Sequence, residues 1–539
     1  MNRQGRILIV DDSEQWCEEL IEILQREGYY TASASTAIKA LELLNQNIFH
    51  ILVLDIRMNE ADQSNEDGIV ILNELEKRGL SEATKVIMLS AYGTKERTRT
   101  AFKEYQVADF LYKEEFTKQI FLESVRNIFA ISAKINLALE IRWQHGSTLE
   151  QAVHNLEVGG ARILHNGPLY SQIIIELEDL LCRLFYQAKS IFVGPLKEGQ
   201  SGTGVLRIQP FFITGGGQAV AVKFGDFHIV EQEYDNFKQY VQPFMGGGRT
   251  TTIQGVRRTL HLGGIIYSLL DTTHDLLDFG EFYRRSDISR ICDTLDRLFR
   301  DTCGNWYASP RDLQPLDLTA DYQQLLSYTP DMLNQVYSDQ LNIARAKNRL
   351  YFWSLTVNHD RPFTDPLLAA TGQSLIRPTY SCITHGDFHH HNLLVDNTGH
   401  VWLIDFQATA QSHILRDVVI LDSVIRFQLL TSQEATLEEC LQMEEALCSI
   451  EHFSQVKELA TTFTTQNPIV AKTYASVVHL LTWARWLVGM NPDDDISEYY
   501  IALLYVALNT VRFSSLQPVQ REHALLCASL LADRLELGK

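Results

Sequence analysis

Arg6-Ile-Leu-Ile-Val-Asp-Asp12 and, further on, Ile51-Leu-Val-Leu-Asp55 decide the reading of the N-terminal part of this 539-residue chain. Each is an apolar run too short for a helix and closed by carboxylates, the pattern of a strand buried on both faces. Lys85–Leu89 and Asp109–Tyr112 are further short runs of this kind, followed by Ser90 and Lys113 instead of a carboxylate. Between these runs, Leu20–Leu24, Ile38–Leu44, Gly68–Leu75 and Phe116–Phe129 carry helical spacing. Alternating strand and helix calls for a doubly wound parallel sheet across residues 1–130. In such a sheet chemistry gathers at the carboxyl ends of the strands. Those ends hold Asp11 and Asp12, Asp55, Ser90 and Lys113. Three close carboxylates need a cation, and oxygen ligands with room for water suit Mg²⁺. Asp55 is then a nucleophile for a phosphoryl group whose oxygens Mg²⁺, Ser90 and Lys113 stabilise.

The composition narrows the rest. Lys and Arg number 47 against 67 Asp and Glu, a net charge of −20, of which −7 falls in residues 1–130. Acidity spread in this way repels phosphate backbones and anionic lipid, so neither a nucleic acid nor a membrane surface is the expected partner. No run of about 18 apolar residues predicts a membrane span. The N-terminus enters a strand without a signal-peptide pattern. Eight cysteines without a Cys-x-x-Cys pair fit reduced thiols in a cytoplasmic protein.

The Asp11-Asp12 pair, Val-Leu-Asp55-Ile-Arg-Met, Leu-Ser90-Ala-Tyr-Gly and Lys113, in this order, closely resemble the receiver domain of two-component response regulators. The resemblance implies a five-stranded sheet, Mg²⁺ on Asp11, Asp12 and Asp55, phosphorylation of Asp55 by a sensor histidine kinase, phosphoryl contacts from Ser90 and Lys113, and a switch aromatic at Phe110. Two features depart from the family. Twelve residues separate Asp55 from Gly68, a longer loop than usual, and Glu114 stands where the family has a Pro that normally fixes the loop.

Residues 383–406 read Ile-Thr-His385-Gly-Asp387-Phe-His-His-His-Asn392, then Leu-Leu-Val, a turn at Asp396–Gly399, and Val-Trp-Leu-Ile-Asp405-Phe. The turn between apolar runs predicts a hairpin that brings Asn392 and Asp405 to one end, near Asp387. Such a set can orient an acceptor hydroxyl and hold Mg²⁺ on ATP. A rival reading makes His385, His389, His390 and His391 a zinc site, although three consecutive side chains rarely face one metal. A loop with a structural role alone is a further alternative. Upstream, Gly199, Gly202 and Gly204 form a Gly-rich turn suited to phosphate. Lys223 lies on the apolar strand Ala219-Val-Ala-Val-Lys223, and Glu231 and Glu233 are candidates for its ion-pair partner, with Glu233 favoured.

The His-Gly-Asp-x-x-x-x-Asn and Ile-Asp-Phe motifs resemble the aminoglycoside phosphotransferase and choline kinase branch of the protein-kinase-like superfamily. That resemblance implies a bilobal α+β fold, a small β-rich lobe over 190–275 and a large helical lobe over 276–539, joined to the receiver by a connector, 131–189. It makes Asp387 the catalytic base, Asn392 and Asp405 the metal ligands, and His385 a brace of the loop. Lys223 would reach the ATP phosphates, with an adenine hinge at Ser268–Asp271. Asp417 would match the branch's buried structural Asp, and Gln407 replaces the Gly of protein kinases. The Gly-rich turn, Val-Ala-Val-Lys223 and Glu-Gln-Glu233 also look like a kinase-like family of bacterial conflict and signalling systems.

The expectation is a cytoplasmic bacterial signalling protein. Its receiver, phosphorylated on Asp55, would control an ATP- and Mg²⁺-dependent phosphotransferase acting on an unknown hydroxyl-bearing acceptor, with a homodimer possible through the receiver or connector. The alternative is a non-catalytic nucleotide- or partner-binding switch whose assembly the receiver governs.

Overall fold

The computed structural model describes residues 3–58, 67–91, 107–154, 156–165, 167–195, 202–245, 251–268, 276–308, 313–326, 329–371, 373–489 and 491–537. Gly199, the 269–271 part of the expected hinge, and most of the longer loop after Asp55 lie outside them. Strands β1 (Arg6–Val10), β2 (Tyr30–Ala34), β3 (Ile51–Leu54), β4 (Lys85–Ser90) and β5 (Asp109–Tyr112) form a parallel sheet in the order β2-β1-β3-β4-β5. Helices α1 (Glu14–Arg26), α2 (Ala37–Gln46), α3 (Asp67–Lys77) and α4 (Lys118–Asn127) cover it. Ser13, Thr36 and Thr117 cap α1, α2 and α4 by accepting a backbone N–H of the first turn. The strand missing from the apolar runs is β2, an edge strand whose Tyr-Thr-Ala-Ser-Ala buries Ala34 alone.

The chain divides into two compact units. One comprises residues 1–234 and 252–270, the other 235–251 and 271–539. In the first, a mainly antiparallel sheet runs in the order Ile253–Arg258, Leu262–Ser268, Val220–Asp226, Gly204–Phe212, Ser190–Pro195, Glu140–Trp143, and the last pair is parallel. Residues 131–189 are therefore part of this architecture, since they supply the Glu140–Trp143 edge strand and a long helix. That helix spans Tyr170–Leu184, seven residues earlier than the apolar run Leu177–Ala188 suggests, because a polar Tyr-Ser-Gln turn opens it. The helix expected over Glu150–Leu156 is a single capped turn, Leu149–Ala152. One apolar core continues from Ile7, Leu20 and Phe121 through Ile128 and Ile135 to Leu177, Val193 and Val222.

The second unit is built on long helices, among them Pro468–Val488, Ser497–Val511 and Pro518–Arg534. The Ser497–Val511 helix is buried from Glu498 to its end, which is why it reads as apolar all round. The mostly helical reading of 278–380 needs correction. Gln314–Asp317 pairs with Ile376–Thr379, and Ile343–Ala346, Arg349–Phe352 and Phe363–Thr364 form a three-stranded sheet. These strands run two to four residues with mixed exposure, too short for a two-residue period to declare itself. The hairpin Leu393–Val395 with Val401–Leu403 forms as its turn signal implies, and Leu277–Asp278 adds a third strand. Among the described residues no helix is long and apolar enough to cross a membrane.

Candidate functional site

The parallel sheet brings Asp11, Asp12 and Asp55 together at its carboxyl edge, with ligand oxygens all within 4.8 Å of one another. Asp11 and Asp55 are buried at 2% and 5% exposure. The Lys113 ammonium lies between them, 2.7 Å from Asp11 Oδ2 and 2.6 Å from Asp55 Oδ2. Burial works against its charge, but the hydrogen bonds to Asp11 and Asp55 outweigh it and its pKa is raised. Burial also pushes the Asp55 carboxyl above the usual carboxylate range, a push that Lys113 offsets in part. Trp16 packs beside Lys113 and edge-on to Phe116, screening the lysine from water. Backbone N–H groups of Ser13 and Arg57 donate to Asp11 and Asp55 at 2.9 and 3.2 Å and fix both carboxylates. Three hard oxygen donors in a buried pocket fit Mg²⁺. Ser90 closes β4 and is buried, and Phe110 lies in β5 beside Tyr112. Glu114 sits in a short turn, Lys113–Glu115.

On the antiparallel sheet of the same unit, the Lys223 ammonium meets Glu233 Oε2 at 2.7 Å, with side chains 7% and 0% exposed. The Tyr267 hydroxyl donates to the other Glu233 oxygen. Glu231, the other candidate, is exposed on the helix that carries both. Gly202 has φ +70, and a Cβ on Gly204 would stand 2.3 Å from the Phe224 ring. These glycines therefore serve close packing, whatever else they do.

In the second unit the loop from His385 to Asn392 is held by its backbone. Asp417, fully buried, accepts the N–H of His385 at 2.9 Å and of Gly386 at 3.0 Å, as well as the Tyr307 hydroxyl at 3.1 Å. Arg416 donates to the Gly386 carbonyl at 3.1 Å, and Thr409 to that of His385 at 3.3 Å. Gly386 has φ +82, and a Cβ there would lie 2.2 Å from the Ala408 carbonyl oxygen, so no other residue fits. His385 is buried and spans the loop, with Nε2 3.0 Å from the Ile404 carbonyl and Nδ1 facing the Asp387 N–H at 3.4 Å. That pairing places the ring proton on Nε2. Burial holds its pKa below the usual histidine value.

Within this frame the Asn392 amide donates to the Asp387 carbonyl at 3.0 Å and to its carboxylate at 3.2 Å. The Ile404 N–H donates to the Asn392 carbonyl, which sets Asp405 at the end of the hairpin that holds Asn392. Asp405 has φ +67, a left-handed conformation that costs a non-glycine residue about 1–3 kcal/mol and is typical of functional turns. Asn236 donates to the carbonyls of Phe406 and Gln407 at 3.2 and 2.7 Å, pinning the turn after Asp405. Asp387 and Asp405 both act on the charge of His385, and carboxylate and amide oxygens are hard donors of the kind that suits Mg²⁺. The rings of His390 and His391 lie 3.9 Å apart, but the histidines form no ligand cluster among the described residues. Both nitrogens of His385 are engaged in the loop, His389 approaches Asp387 at 3.5 Å, and His391 approaches Asp278 at 3.7 Å. Among the described residues Asp11, Asp12 and Asp55 are the one cluster with metal-ligand spacing. Tyr307, Arg416, Thr409 and Asn236 leave no signal in the sequence, since each lies outside the motif and acts through one or two hydrogen bonds.

Comparison with known proteins gives two domains. Residues 7–125 match the family of response regulator receiver domains. Residues 188–348 and 361–512 match a family described as ternary complex associated domain 9, rather than one described as a phosphotransferase. The transcriptional regulatory protein ZraR of Escherichia coli K12 is 34% identical over 107 residues, 20% of this chain and 22% of that protein. The alginate biosynthesis transcriptional regulatory protein AlgB of Pseudomonas aeruginosa is 29% identical over 126 residues, 23% of this chain and 26% of that protein. The chain thus spans about a quarter or less of the length of these relatives. A CheY-like receiver structure from Methanospirillum hungatei JF-1 is 25% identical, covers 24% of this chain and 98% of its own, and gives a TM-score of 0.22. The N-terminal sheet is that of a response regulator receiver domain.

Proposed function

The chain belongs to the ternary complex associated domain 9 family and carries a response regulator receiver at its N-terminus, and from that premise we propose a receiver-controlled, ATP-dependent phosphotransferase. The receiver takes its phosphoryl group from a sensor histidine kinase. The histidine P–N bond breaks, a bond from phosphorus to an Asp55 carboxylate oxygen forms, and Lys113 stays beside the added charge. Asp11, Asp12 and Asp55 would hold Mg²⁺, which neutralises the phosphoryl oxygens.

The observation that carries the second activity is the frame around Asp387: a half-exposed carboxylate held by Asn392, on a loop that Asp417 fixes from below. Asp387 accepts the proton of an acceptor hydroxyl as its oxygen bonds to the γ-phosphorus, the bond to the bridging oxygen breaks, and ADP leaves. Asn392 and Asp405 would hold Mg²⁺ on the nucleotide. The buried Lys223–Glu233 pair supports a nucleotide role, since a lysine held this way is ready to meet phosphate oxygens. Association with a sensor kinase follows from the receiver, and the acceptor is a hydroxyl compound. The net charge of −20 supports a protein that binds neither nucleic acid nor membrane; a cytoplasmic location and self-association through the receiver or the connector belong to the same reading.

ATP binding to the full chain, measured by calorimetry with and without Mg²⁺, tests the nucleotide reading. Binding that requires Mg²⁺ and weakens in both Lys223→Ala and Asp405→Asn is expected. Equal binding by all three proteins, or none by the wild type, favours the non-catalytic switch.

A further inference from the structure

Helix α3 joins the phosphoryl-accepting loop to the sheet that carries Lys223. At its start, the Gly68 N–H donates to the Ile56 carbonyl at 3.2 Å, and a Cβ on Gly68 would stand 2.5 Å from the Asp55 carbonyl oxygen. The first turn of α3 therefore rides on the backbone of Asp55 and Ile56. Eleven helical residues carry the contact about 16 Å away. At the far end Gly79, with φ +62, closes the helix, and a Cβ there would lie 2.8 Å from Arg258 Nη1. Leu260, two residues beyond Arg258, packs against the receiver core that contains Leu72, Leu75 and Leu80.

The Arg258–His261 turn touches the helix that carries Glu233 and leads into the strand paired with that of Lys223. The Arg258 guanidinium lies 3.7 Å above the ring of Phe227, the first residue of the helix that carries Glu233. The Phe227 N–H donates to the His261 carbonyl at 3.0 Å. His261 leads directly into the Leu262–Ser268 strand, where Ile265 is the register partner of Lys223.

A second support holds the same turn. Glu176, fully buried on the Tyr170–Leu184 helix, accepts the Thr259 hydroxyl at 2.6 Å and the His261 N–H at 2.7 Å, and its other oxygen meets His261 Nδ1 at 2.7 Å. One turn along, Asp179 meets His50 Nε2 at 2.6 Å and Arg183 Nε at 2.6 Å. His50 immediately precedes β3, and its Nδ1 accepts the Arg6 N–H, so its Nε2 donates to Asp179. Both ends of the strand that terminates in Asp55 thus connect to one turn, through α3 at the carboxyl end and through the Tyr170–Leu184 helix at the amino end.

We propose that the Arg258–His261 turn is the coupling element through which a phosphoryl group on Asp55 changes the setting of the Lys223–Glu233 pair. This rests on phosphorylation of Asp55 as read above. It is a regulatory role for a segment outside both sites, and it makes the receiver and the β-sheet one mechanical body.

Hydrogen exchange of the full chain, with and without acetyl phosphate and Mg²⁺, tests the proposal, with intact mass reporting phosphoryl transfer from acetyl phosphate to Asp55 and release of acetate. In the wild type, amide protection should change both in β4 and β5 and in Val220–Asp226 and Leu262–Ser268. In Leu260→Ser the receiver strands should still respond, whereas the change at 220–226 and 262–268 should be lost. Arg258→Ala should give the same split and serves if Leu260→Ser fails to fold. A phosphorylated wild type whose receiver responds while the two distant strands do not would overturn the coupling and leave Asp55 phosphorylation intact. Undiminished responses in both variants would overturn it equally. A chain that takes up no phosphoryl group would remove the reading beneath it.

Discussion

Asp55 directly follows β3 and Asp387 lies three residues past the strand Ser381–Thr384, but they are held by different forces. Asp55 is buried against a lysine, and its environment is one of opposed charges: two carboxylates, one ammonium and little water. Asp387 is half exposed and has no lysine or arginine ion-pair partner among the described residues. Its position comes from amide and carbonyl groups fixed by Asp417, Arg416, Thr409 and Asn392. Removing charge should therefore disable the first site at once, whereas the second should be sensitive to groups that never touch substrate.

The largest effect breaks the first site. With acetyl phosphate and Mg²⁺, Asp55→Asn should abolish labelling of the chain, and Asp67→Asn, at the start of α3, should leave it. Peptide mapping that finds label elsewhere in Asp55→Asn contradicts the assignment.

The second expectation breaks the other site without removing it. Asp387→Asn keeps size and hydrogen bonding, so ATP affinity should stay near wild type while turnover falls about 10²–10⁴-fold, the usual worth of a general base. Asp405→Asn should weaken affinity and turnover together. Steady-state kinetics beside calorimetry separates the two patterns, and parallel losses in both variants would remove the distinct role given to Asp387.

A smaller effect sharpens the contrast between charge and frame. Asp417→Ala leaves two backbone N–H groups and the Tyr307 hydroxyl without their acceptor. At about 1–3 kcal/mol for each buried unsatisfied group, urea unfolding should report a loss of roughly 3 kcal/mol or more. Wild-type stability would mean that another group holds the loop.

The smallest effect concerns the helical unit, whose buried network joins Asp422, Arg426, Glu444 and His523. Burial opposes the Glu444 charge, but Arg426 and His523 beside it lower its pKa from 4.5 to about 2. Burial likewise opposes the His523 charge, yet the neighbouring Cys440 and Glu444 raise its pKa from 6.5 to about 10. The stability from Glu444 is present above pH 4.5 and lost as pH falls toward 2. That from His523 is present below pH 6.5 and lost as pH rises toward 10. Thermal unfolding should therefore be most resistant between about pH 4.5 and 6.5, and Glu444→Gln should flatten both flanks. An unchanged profile in that variant would show that the network does not set the pH dependence.

The same contrast explains what was legible in the sequence. Strands β1, β3, β4 and β5 announce themselves because each is a short apolar run that leads into a residue of the pocket, so fold and site share one signal. Asp387, Asn392 and Asp405 were legible because a hairpin turn fixes their spacing, and Lys223 because an apolar strand carries it. Tyr307 and Arg416 were not, since their hydrogen bonds form across 110 and 30 residues and leave no local period. The edge strand β2 and the short strands of 314–379 hid for a related reason: segments of two to five residues, most of them partly exposed, are too short to show a period. Residues 131–189 read as a featureless connector because Glu176 and Asp179, which tie the Tyr170–Leu184 helix to its neighbours, look like ordinary surface charges until burial is known.

The central claim is that the state of Asp55 governs the nucleotide chemistry of the same chain. The most direct measurement is ATP affinity and turnover of the full-length protein before and after treatment with acetyl phosphate and Mg²⁺, in the wild type and in Asp55→Asn. The account predicts a change in the wild type that is absent from Asp55→Asn. Identical nucleotide behaviour in phosphorylated and unphosphorylated wild-type protein would contradict it.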